Sequence, residues 1–173
     1  MTDVYSSDDI DPLSRKRGFF ALDLILELET DIDVVACADA ALAAMDGYFG
    51  SEIFYAATLK IVDDETIQGA NAEFRHKDKP TNVLSFPDGT DDGEALYLGD
   101  IMMSLDTVMR EAKEQVKPVE EHIVHLMIHG FLHLMGYDHE EESEAVEMET
   151  LEIELLQTLD IKNPYEEKGI PRD

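Results

Sequence analysis

The segment from residue 119 to residue 135 constrains the fold of this chain more than any other part of the sequence. It reads VEEHIVHLMIHGFLHLM, and beyond its first turn it carries apolar residues on nearly every side. A helix that is hydrophobic all round is buried in a protein core. Four histidines nevertheless recur along it within an arc of about 80°: His122, His125, His129 and His133. The sequence therefore predicts a buried central helix with a row of imidazoles on one side.

Two of these histidines and a third beyond the helix form a predicted metal site. His129 and His133 are one helical turn apart, the spacing at which two imidazoles can bind one ion. Gly136 can adopt the left-handed backbone that ends a helix, so the chain can turn back and bring His139 to the same point. Three histidines leave a tetrahedral zinc ion with one open position, which favours a catalytic site over a structural one. The two earlier histidines are interpreted as core residues with polar partners.

The acidic residues that follow the cluster have two interpretations. Asp138 is a candidate acceptor for an imidazole N–H group, as is usual around metal-binding histidines. The run from Glu140 to Glu142 is interpreted as a solvated acidic surface.

The spacing of the three histidines is that of the zinc peptidase pattern HExxHxxGxxH, with one difference. Gly130 stands where that pattern has the glutamate that acts as general base, so a metallopeptidase is disfavoured. Zinc alone lowers the pKa of water to about 7. Attack on a phosphodiester also places negative charge on phosphoryl oxygens, which a nearby cation stabilises. The site is therefore predicted to act on phosphate rather than on peptide.

A basic segment, RHKDK at residues 75–79, holds three of the thirteen lysines and arginines of the chain. A guanidinium can bind two phosphate oxygens at once and stays protonated. Arg75, Lys77 and Lys79 are therefore candidates for substrate binding, and Arg75 and His129 are the candidate catalytic residues. A flexible second contact with RNA is expected from three basic residues near the N-terminus, Arg15, Lys16 and Arg17.

The net charge restricts the partners that the chain can bind. Forty acidic residues against thirteen basic ones give a net charge of −27. Such a chain repels nucleic acid over most of its surface, so DNA is not expected as a partner and RNA must meet a local basic patch or a metal. The acidic surface suits a basic partner such as a ribosomal protein. No apolar run approaches the roughly 20 residues that cross a bilayer, so no membrane contact is expected.

The pattern along the chain predicts about four strands and five helices, interleaved in one domain of the α/β or α+β class with a mixed sheet. The predicted strands are residues 21–28, 54–62, 81–86 (ending at Pro87) and 96–103. The predicted helices are residues 34–48, a short helix that Asp63-Asp64 can cap and that runs to about residue 74, and residues 105–116, 119–135 and 141–159. Residues 18–161 are expected to form the zinc-dependent hydrolase-like domain, between a flexible lead (1–17) and a flexible tail (162–173).

Several of these stretches resemble the YbeY family, the bacterial zinc-dependent factors of ribosomal RNA maturation that are described as single-strand endoribonucleases. The resemblance rests on NAEFRHKDKPTNVLSFP at 71–87, LGDIMMSLDT at 98–107, HGFLHLMGYDH at 129–139 and the ending IKNPYEE. Asn82 stands where the family usually has an aspartate after Pro-Thr, and no acid role is assigned to it.

The resemblance implies a small zincin-like α/β domain with a four-stranded sheet and one zinc ion bound by His129, His133 and His139. It also implies that Arg75 is important for activity. The expected function is cleavage of single-stranded RNA in maturation of the 3′ end of small-subunit ribosomal RNA, and in ribosome biogenesis and quality control in the cytoplasm. The alternatives are a ribosome assembly factor with a mainly structural zinc and little or no catalysis, or, less favoured, a metallopeptidase.

Overall fold

The computed structural model describes residues 13–50 and 52–165, which form five strands and five helices. The strands are β1 (Leu13–Arg17), β2 (Phe20–Leu26), β3 (Tyr55–Val62), β4 (Val83–Asp91) and β5 (Leu96–Ser104). The helices are α1 (Val34–Phe49), α2 (Asp64–Arg75), α3 (Leu105–Glu114), α4 (Val119–Leu134) and α5 (Glu142–Gln157). None of the helices in these ranges has the length and apolar content that crossing a bilayer requires. The mixed α/β class and the five helices are as predicted.

The described strands form one mixed sheet in the order β1-β2-β3-β5-β4. β2, β3 and β5 are parallel and central, whereas β1 and β4 are antiparallel edge strands. Parallel neighbours cannot be joined by a tight hairpin and need a crossover. α1 supplies the crossover between β2 and β3, and α2 together with β4 supplies the one between β3 and β5.

The sheet has one strand more than predicted, because residues 13–17 form β1 where a flexible lead was expected. The segment LSRKR is almost entirely exposed and lacks the apolar alternation that marks a strand. It is held instead by its pairing with β2 and by Arg15, whose guanidinium donates two hydrogen bonds of 2.8 and 2.7 Å to the carboxylate of Asp39 in α1. Residues 1–12 of the expected lead and residues 166–173 of the expected tail lie outside the described residues.

The prediction that the third predicted strand, which is β4 in the structure, ends at Pro87 is wrong. β4 continues to Asp91, with a register shift against β5 between Pro87 and Thr90. Proline has no N–H to donate, but an edge strand can accommodate it where that N–H would face solvent or a bulge. β4 therefore runs past the proline along the open edge of the sheet.

α4 is the central helix, as predicted. It packs against α1, α3 and α5 and against the edge of the sheet formed by β4 and β5. Several of its apolar side chains have at most 1% of their surface exposed: Ile123, Met127, Ile128, Phe131 and Leu132. The principal hydrophobic cluster lies between α1, α4, α5 and one face of the sheet.

The opposite face of the sheet is covered less completely. A small cluster of Val62, Ile67 and Leu84 joins β3, α2 and β4 there. α2 begins at the predicted cap, because the Asp63 carboxylate accepts a hydrogen bond of 2.9 Å from the backbone N–H of Thr66. It ends at Arg75, after which His76 adopts a left-handed backbone with φ of 59°. The end of α2 thus places Arg75 beside the edge strand β4.

The burial of α4 predicts a large loss of stability on Phe131→Asp. Phe131 is 1% exposed, so the substitution removes a buried ring and places an unpaired carboxylate in the core, at a cost of several kcal/mol. Thermal and denaturant unfolding should show this loss. Met109→Asp in α3, where the side chain is 47% exposed, is the control and should change stability by less than about 1 kcal/mol. Equal melting of the two variants would contradict the central position of α4.

Candidate active site

The three predicted metal ligands lie together at the end of α4. His129 and His133 occupy its last two turns, and Gly136, with φ of 103°, lets the chain reverse after the helix. The reversal is held by the N–H of Tyr137, which donates a hydrogen bond of 3.0 Å to the carbonyl of Leu132. His139 then faces the helix, and one ligand nitrogen from each of the three histidines lies within 4.8 Å of the others. The predicted sequence of helix, glycine stop and third histidine is confirmed.

The tautomers of His129 and His133 follow from the acceptors that face their Nδ1 atoms. Nδ1 of His129 lies 2.6 Å from a carboxylate oxygen of Glu152, and Nδ1 of His133 lies 3.1 Å from the carbonyl oxygen of Tyr137. Because both oxygens accept hydrogen bonds, each Nδ1 carries a proton and each Nε2 presents a lone pair. The two Nε2 atoms are 3.1 Å apart, and two facing lone pairs repel unless a cation lies between them. The donor set therefore fits a divalent metal that prefers imidazole nitrogen.

The protonation state of His133 also suits metal binding. Burial lowers the pKa of this imidazole to about 4, and the proximity of the His129 and His139 imidazoles, which disfavours positive charge in the cluster, acts in the same direction. The ring is therefore neutral at pH 7, which is the form that binds a metal.

The carboxylate that orients His129 comes from Glu152 in α5, a residue that was not among the predicted site residues. Glu152 is 0% exposed, and its oxygens lie 2.9 Å from Nε2 of His125 and 2.6 Å from Nδ1 of His129. The hydroxyl of Tyr165 donates a further hydrogen bond to it. Burial alone would raise the pKa of Glu152, but the hydrogen bonds that it accepts from His125 and His129 outweigh burial and hold the pKa far below its usual value. The side chain is therefore an ionised carboxylate in the core.

A signal for Glu152 was present in the sequence. The predicted apolar stripe of the last helix includes Met148 and Leu155, which are four residues before and three residues after Glu152. A carboxylate on that stripe must be buried and must find donors. The predicted acceptor, Asp138, instead accepts a hydrogen bond of 2.7 Å from the backbone N–H of His139.

The two earlier histidines of α4 are core residues with polar partners, as interpreted from the sequence. Nε2 of His122 lies 2.8 Å from a carboxylate oxygen of Glu111 in α3, and His125 contacts Glu152. Burial lowers the pKa of His125, so its ring is neutral and its Nε2–H donates to the carboxylate. Neither histidine belongs to the cluster of candidate metal ligands found in the described part of the chain.

A cavity of about 590 Å³ opens over the histidine cluster. Its walls come from the end of α2, from β4, from the end of α4 and from the turn after it: they include Arg75, Asn82, Ser85, His129, His133, Asp138, His139 and Glu140. Arg75 donates a hydrogen bond of 2.7 Å to the carbonyl of Ser85 in β4, which holds its guanidinium at the cavity wall. The structure thus brings one predicted substrate-binding residue to the histidines.

The other predicted basic contacts lie elsewhere. Lys77 and Lys79 follow the left-handed residue His76, are exposed and do not line this cavity. The basic residues 15–17 belong to β1, at the opposite edge of the sheet from β4, and Arg15 is occupied by Asp39. Residues 15–17 therefore lie in a strand and not in the expected flexible segment, and their role as a second contact with RNA stays a prediction.

Packing explains why the helix has glycine at position 130. A Cβ atom placed there would lie 3.0 Å from Cδ1 and 3.2 Å from Cγ2 of Ile101 in β5, closer than ordinary van der Waals contact. Ile101 is itself 1% exposed. The absence of side-chain atoms at Gly130 allows α4 to approach the sheet, and a glutamate at this position would require Ile101 to move.

Asn82 acts as a hydrogen-bond donor at the cavity wall. Its side-chain amide lies 3.2 and 3.3 Å from the two carboxylate oxygens of Glu111. Burial alone would raise the pKa of Glu111, but hydrogen bonds from His122 and Asn82 outweigh it and lower the pKa. The amide of Asn82 thus stabilises the ionised form of Glu111, whereas a carboxylate at position 82 would repel the Glu111 carboxylate.

The chain is thus a mixed α/β protein with a candidate metal site of three histidines, beside Arg75. The chain matches the family model described as Endoribonuclease YbeY over residues 27–160. A protein named Endoribonuclease YbeY from Chelativorans sp. (strain BNC1) is 49% identical over 129 residues, which cover 73% of this chain and 77% of the relative. Another of that name, from Rhodopseudomonas palustris, is 44% identical over 143 residues, which cover 80% and 74%. The chain therefore belongs to the YbeY family, as the sequence motifs indicated.

A comparison with solved structures supports the fold. A solution structure of a protein from Thermotoga maritima superposes with a TM-score of 0.54 at 23% sequence identity, over 88% of this chain and 99% of the other. At that identity the similarity establishes the architecture and no more.

The contacts of Glu152 predict a weaker metal site in Glu152→Gln. Glutamine keeps the size of the side chain but loses the charge that fixes the His129 ring, and losses of this kind typically cost about 10- to 100-fold in metal affinity. Competition titrations with a zinc chelator should show this decrease. Glu154→Gln, an exposed position on the same helix, is the control and should bind zinc like the parent. Equal affinities in all three proteins would remove Glu152 from the support of the site.

Proposed function

We propose that this protein is a zinc-dependent endoribonuclease that cleaves single-stranded RNA in ribosomal RNA processing. One observation carries the proposal: three imidazoles with converging ligand atoms and one guanidinium share a single open cavity. The relatives named Endoribonuclease YbeY support RNA as the substrate class. Within that class we infer a role at the 3′ end of small-subunit RNA, and in ribosome biogenesis and quality control, in the cytoplasm.

In this proposal His129, His133 and His139 hold one zinc ion. The ion, when bound, supplies a Lewis acid that stabilises negative charge on phosphoryl oxygens and makes water more acidic. Both ring nitrogens of His129 already have partners: Nδ1 contacts the carboxylate of Glu152, and Nε2 faces Nε2 of His133 in the cluster. His129 therefore contributes to catalysis as a ligand and not as a proton acceptor.

Arg75 is proposed to bind the phosphate at which the chain is cut. Its hydrogen bond to the Ser85 carbonyl leaves other N–H groups of the guanidinium to meet phosphate oxygens. Lys77 and Lys79 are exposed beyond it and are proposed to contact phosphates further along the strand. The acidic surface of the rest of the chain suits a basic ribosomal protein, which we propose as a partner on the small subunit.

The close packing of Gly130 on Ile101 is an argument against the peptidase alternative, because no carboxylate can occupy that position without a shift of the core. The alternative of an assembly factor with a mainly structural zinc differs from our proposal in one measurable respect. A catalytic site requires RNA cleavage by the purified protein to depend on the metal.

The donor set predicts one zinc ion per chain. His133→Ala should lose most of the metal by elemental analysis, because two histidines bind zinc far more weakly than three. His122→Ala, which alters a buried histidine outside the cluster, should keep it. Cleavage of single-stranded RNA should be lost in His133→Ala and on chelation, and should return when zinc is added to the chelated parent. Full zinc in a folded His133→Ala protein would contradict the ligand assignment, and cleavage that survives chelation would contradict a catalytic metal.

The position of Arg75 predicts weaker RNA binding in Arg75→Glu with unchanged zinc content. Each phosphate contact to a single strand contributes about 0.7 to the slope of log affinity against log salt. The parent should therefore show a shallow slope from a few contacts, and the variant a shallower one. Lys113→Glu in α3 changes the net charge equally at an exposed position outside the cavity and is the control. If both variants lose affinity alike, general charge repulsion and not a local contact explains the result.

A further inference from the structure

Phe74, in the last turn of α2, is a large aromatic side chain that the hydrophobic core does not use. It is 53% exposed and is not a member of either hydrophobic cluster. Its ring lies edge to face against Phe86 of β4, with the centroids 5.4 Å apart. Phe86 itself packs on the small cluster of the outer sheet face. One side of the Phe74 ring is therefore anchored and much of the rest faces solvent, next to the candidate phosphate-binding residue Arg75.

These two rings line a second cavity of about 380 Å³ on the sheet face opposite α4. Its other walls are Thr58 and Lys60 of β3 and Asp100, Ile101 and Met102 of β5. The register of the sheet pairs Thr58 with Asp100 and Phe86 with Asp100, so the three side chains project from neighbouring strands on the same side. The cavity is thus a pocket with aromatic and aliphatic walls and a few polar groups.

The edge strand β4 separates this cavity from the one over the histidines. Val83, Leu84, Ser85 and Pro87 of this strand line the histidine cavity, whereas Phe86 lines the aromatic one. Arg75 connects the two, because it lines the histidine cavity while its guanidinium carbon lies 5.1 Å from the centroid of the Phe86 ring. A phosphate-binding group and an aromatic pocket are therefore direct neighbours across one edge strand.

This combination fits one kind of ligand. A nucleotide carries a flat, largely apolar base joined through its sugar to a phosphate, and single-stranded nucleic acid is held where aromatic rings alternate with cationic groups. The carboxylate of Asp100 and the ammonium of Lys60 lie on the wall together, so the cavity has no excess positive charge to attract a phosphate, and Asp100 can accept hydrogen bonds from a base. We propose that this cavity is a nucleobase subsite, in which Phe74 stacks on the base of a nucleotide adjacent to the phosphate bound by Arg75.

This inference rests on the proposed RNA substrate and adds a contact that double-stranded RNA cannot make. A paired base is stacked within the helix and cannot enter a side pocket without leaving it, whereas an unpaired base can. The subsite therefore gives a physical basis for selecting single strands at the cavity itself.

The test combines removal of the base with removal of the ring. The zinc-loaded full-length protein is titrated with a short single-stranded oligoadenylate and with an abasic ribose-phosphate chain of the same length. The parent should bind the oligoadenylate about tenfold more tightly, within the range that a stacked base contributes. Phe74→Leu should lose most of that ratio and keep its affinity for the abasic chain, and Phe74→Tyr should retain the ratio.

Tyr48→Leu is the matched control, because Tyr48 is 55% exposed, packs on Phe49 with ring centroids 4.8 Å apart, and lines a different cavity. It should behave like the parent. A Phe74→Leu protein that keeps the parent's ratio, or that loses affinity for both chains equally, would overturn the subsite while leaving the proposed function intact. Failure of the parent to bind either chain would overturn the proposed function, and the subsite with it.

Discussion

The carboxylate of Glu152 is the interaction on which the arrangement of α4, α5 and the histidine cluster depends. A charge with no exposed surface costs several kcal/mol to remove from water unless partners compensate for it. Here the partners are His125, His129 and Tyr165, which come from α4 and from the chain beyond α5. In turn, α4 can be buried on nearly all sides only because carboxylate and carbonyl oxygens accept hydrogen bonds from its imidazoles. The core and the site are therefore held by the same hydrogen bonds.

The location of the cluster follows from this arrangement. α4 is buried through most of its length and emerges at the edge of the sheet, where β4 leaves one side open. His129 keeps 19% of its side chain exposed, although its neighbour Glu152 keeps none. The ligand atoms thus face an open cavity while the groups that orient them stay in the core. Such an arrangement gives access to a large substrate without exposing the support of the ligands to water.

The histidine ligands could be predicted from the sequence because their geometry is local. One helical turn separates His129 from His133, and Gly136 supplies the reversal that returns His139. Glu152 could not be assigned in the same way, because its partners lie 23 and 27 residues away and meet it only through helix packing. Arg75 was identified by its charge and by the family motif, whereas neither signal showed that residues 13–17 form a strand and not a flexible segment.

Two features of the sheet also lay beyond sequence patterns. β1 carries no apolar alternation, since its stability comes from backbone pairing and from the Arg15–Asp39 ion pair. β4 continues past Pro87, although proline usually ends a strand. An edge strand can contain proline because its outer N–H groups have no partner strand to donate to. Both are edge strands. Because one side of an edge strand has no neighbouring strand, its sequence is less constrained, and residue propensities predict it less well than a central strand.

The charge of the chain limits the means by which it can hold RNA. With forty acidic residues against thirteen basic ones, each phosphate drawn to Arg75 approaches a surface that repels its neighbours, so additional phosphate contacts bring little affinity. Stacking of a base on an aromatic ring contributes about 1–3 kcal/mol per base and requires no cationic side chain. A site built from one arginine, a metal-type cluster and an aromatic pocket can therefore bind RNA locally where a broad basic surface is absent. Under the proposed function, the acidic remainder of the surface suits a basic protein partner.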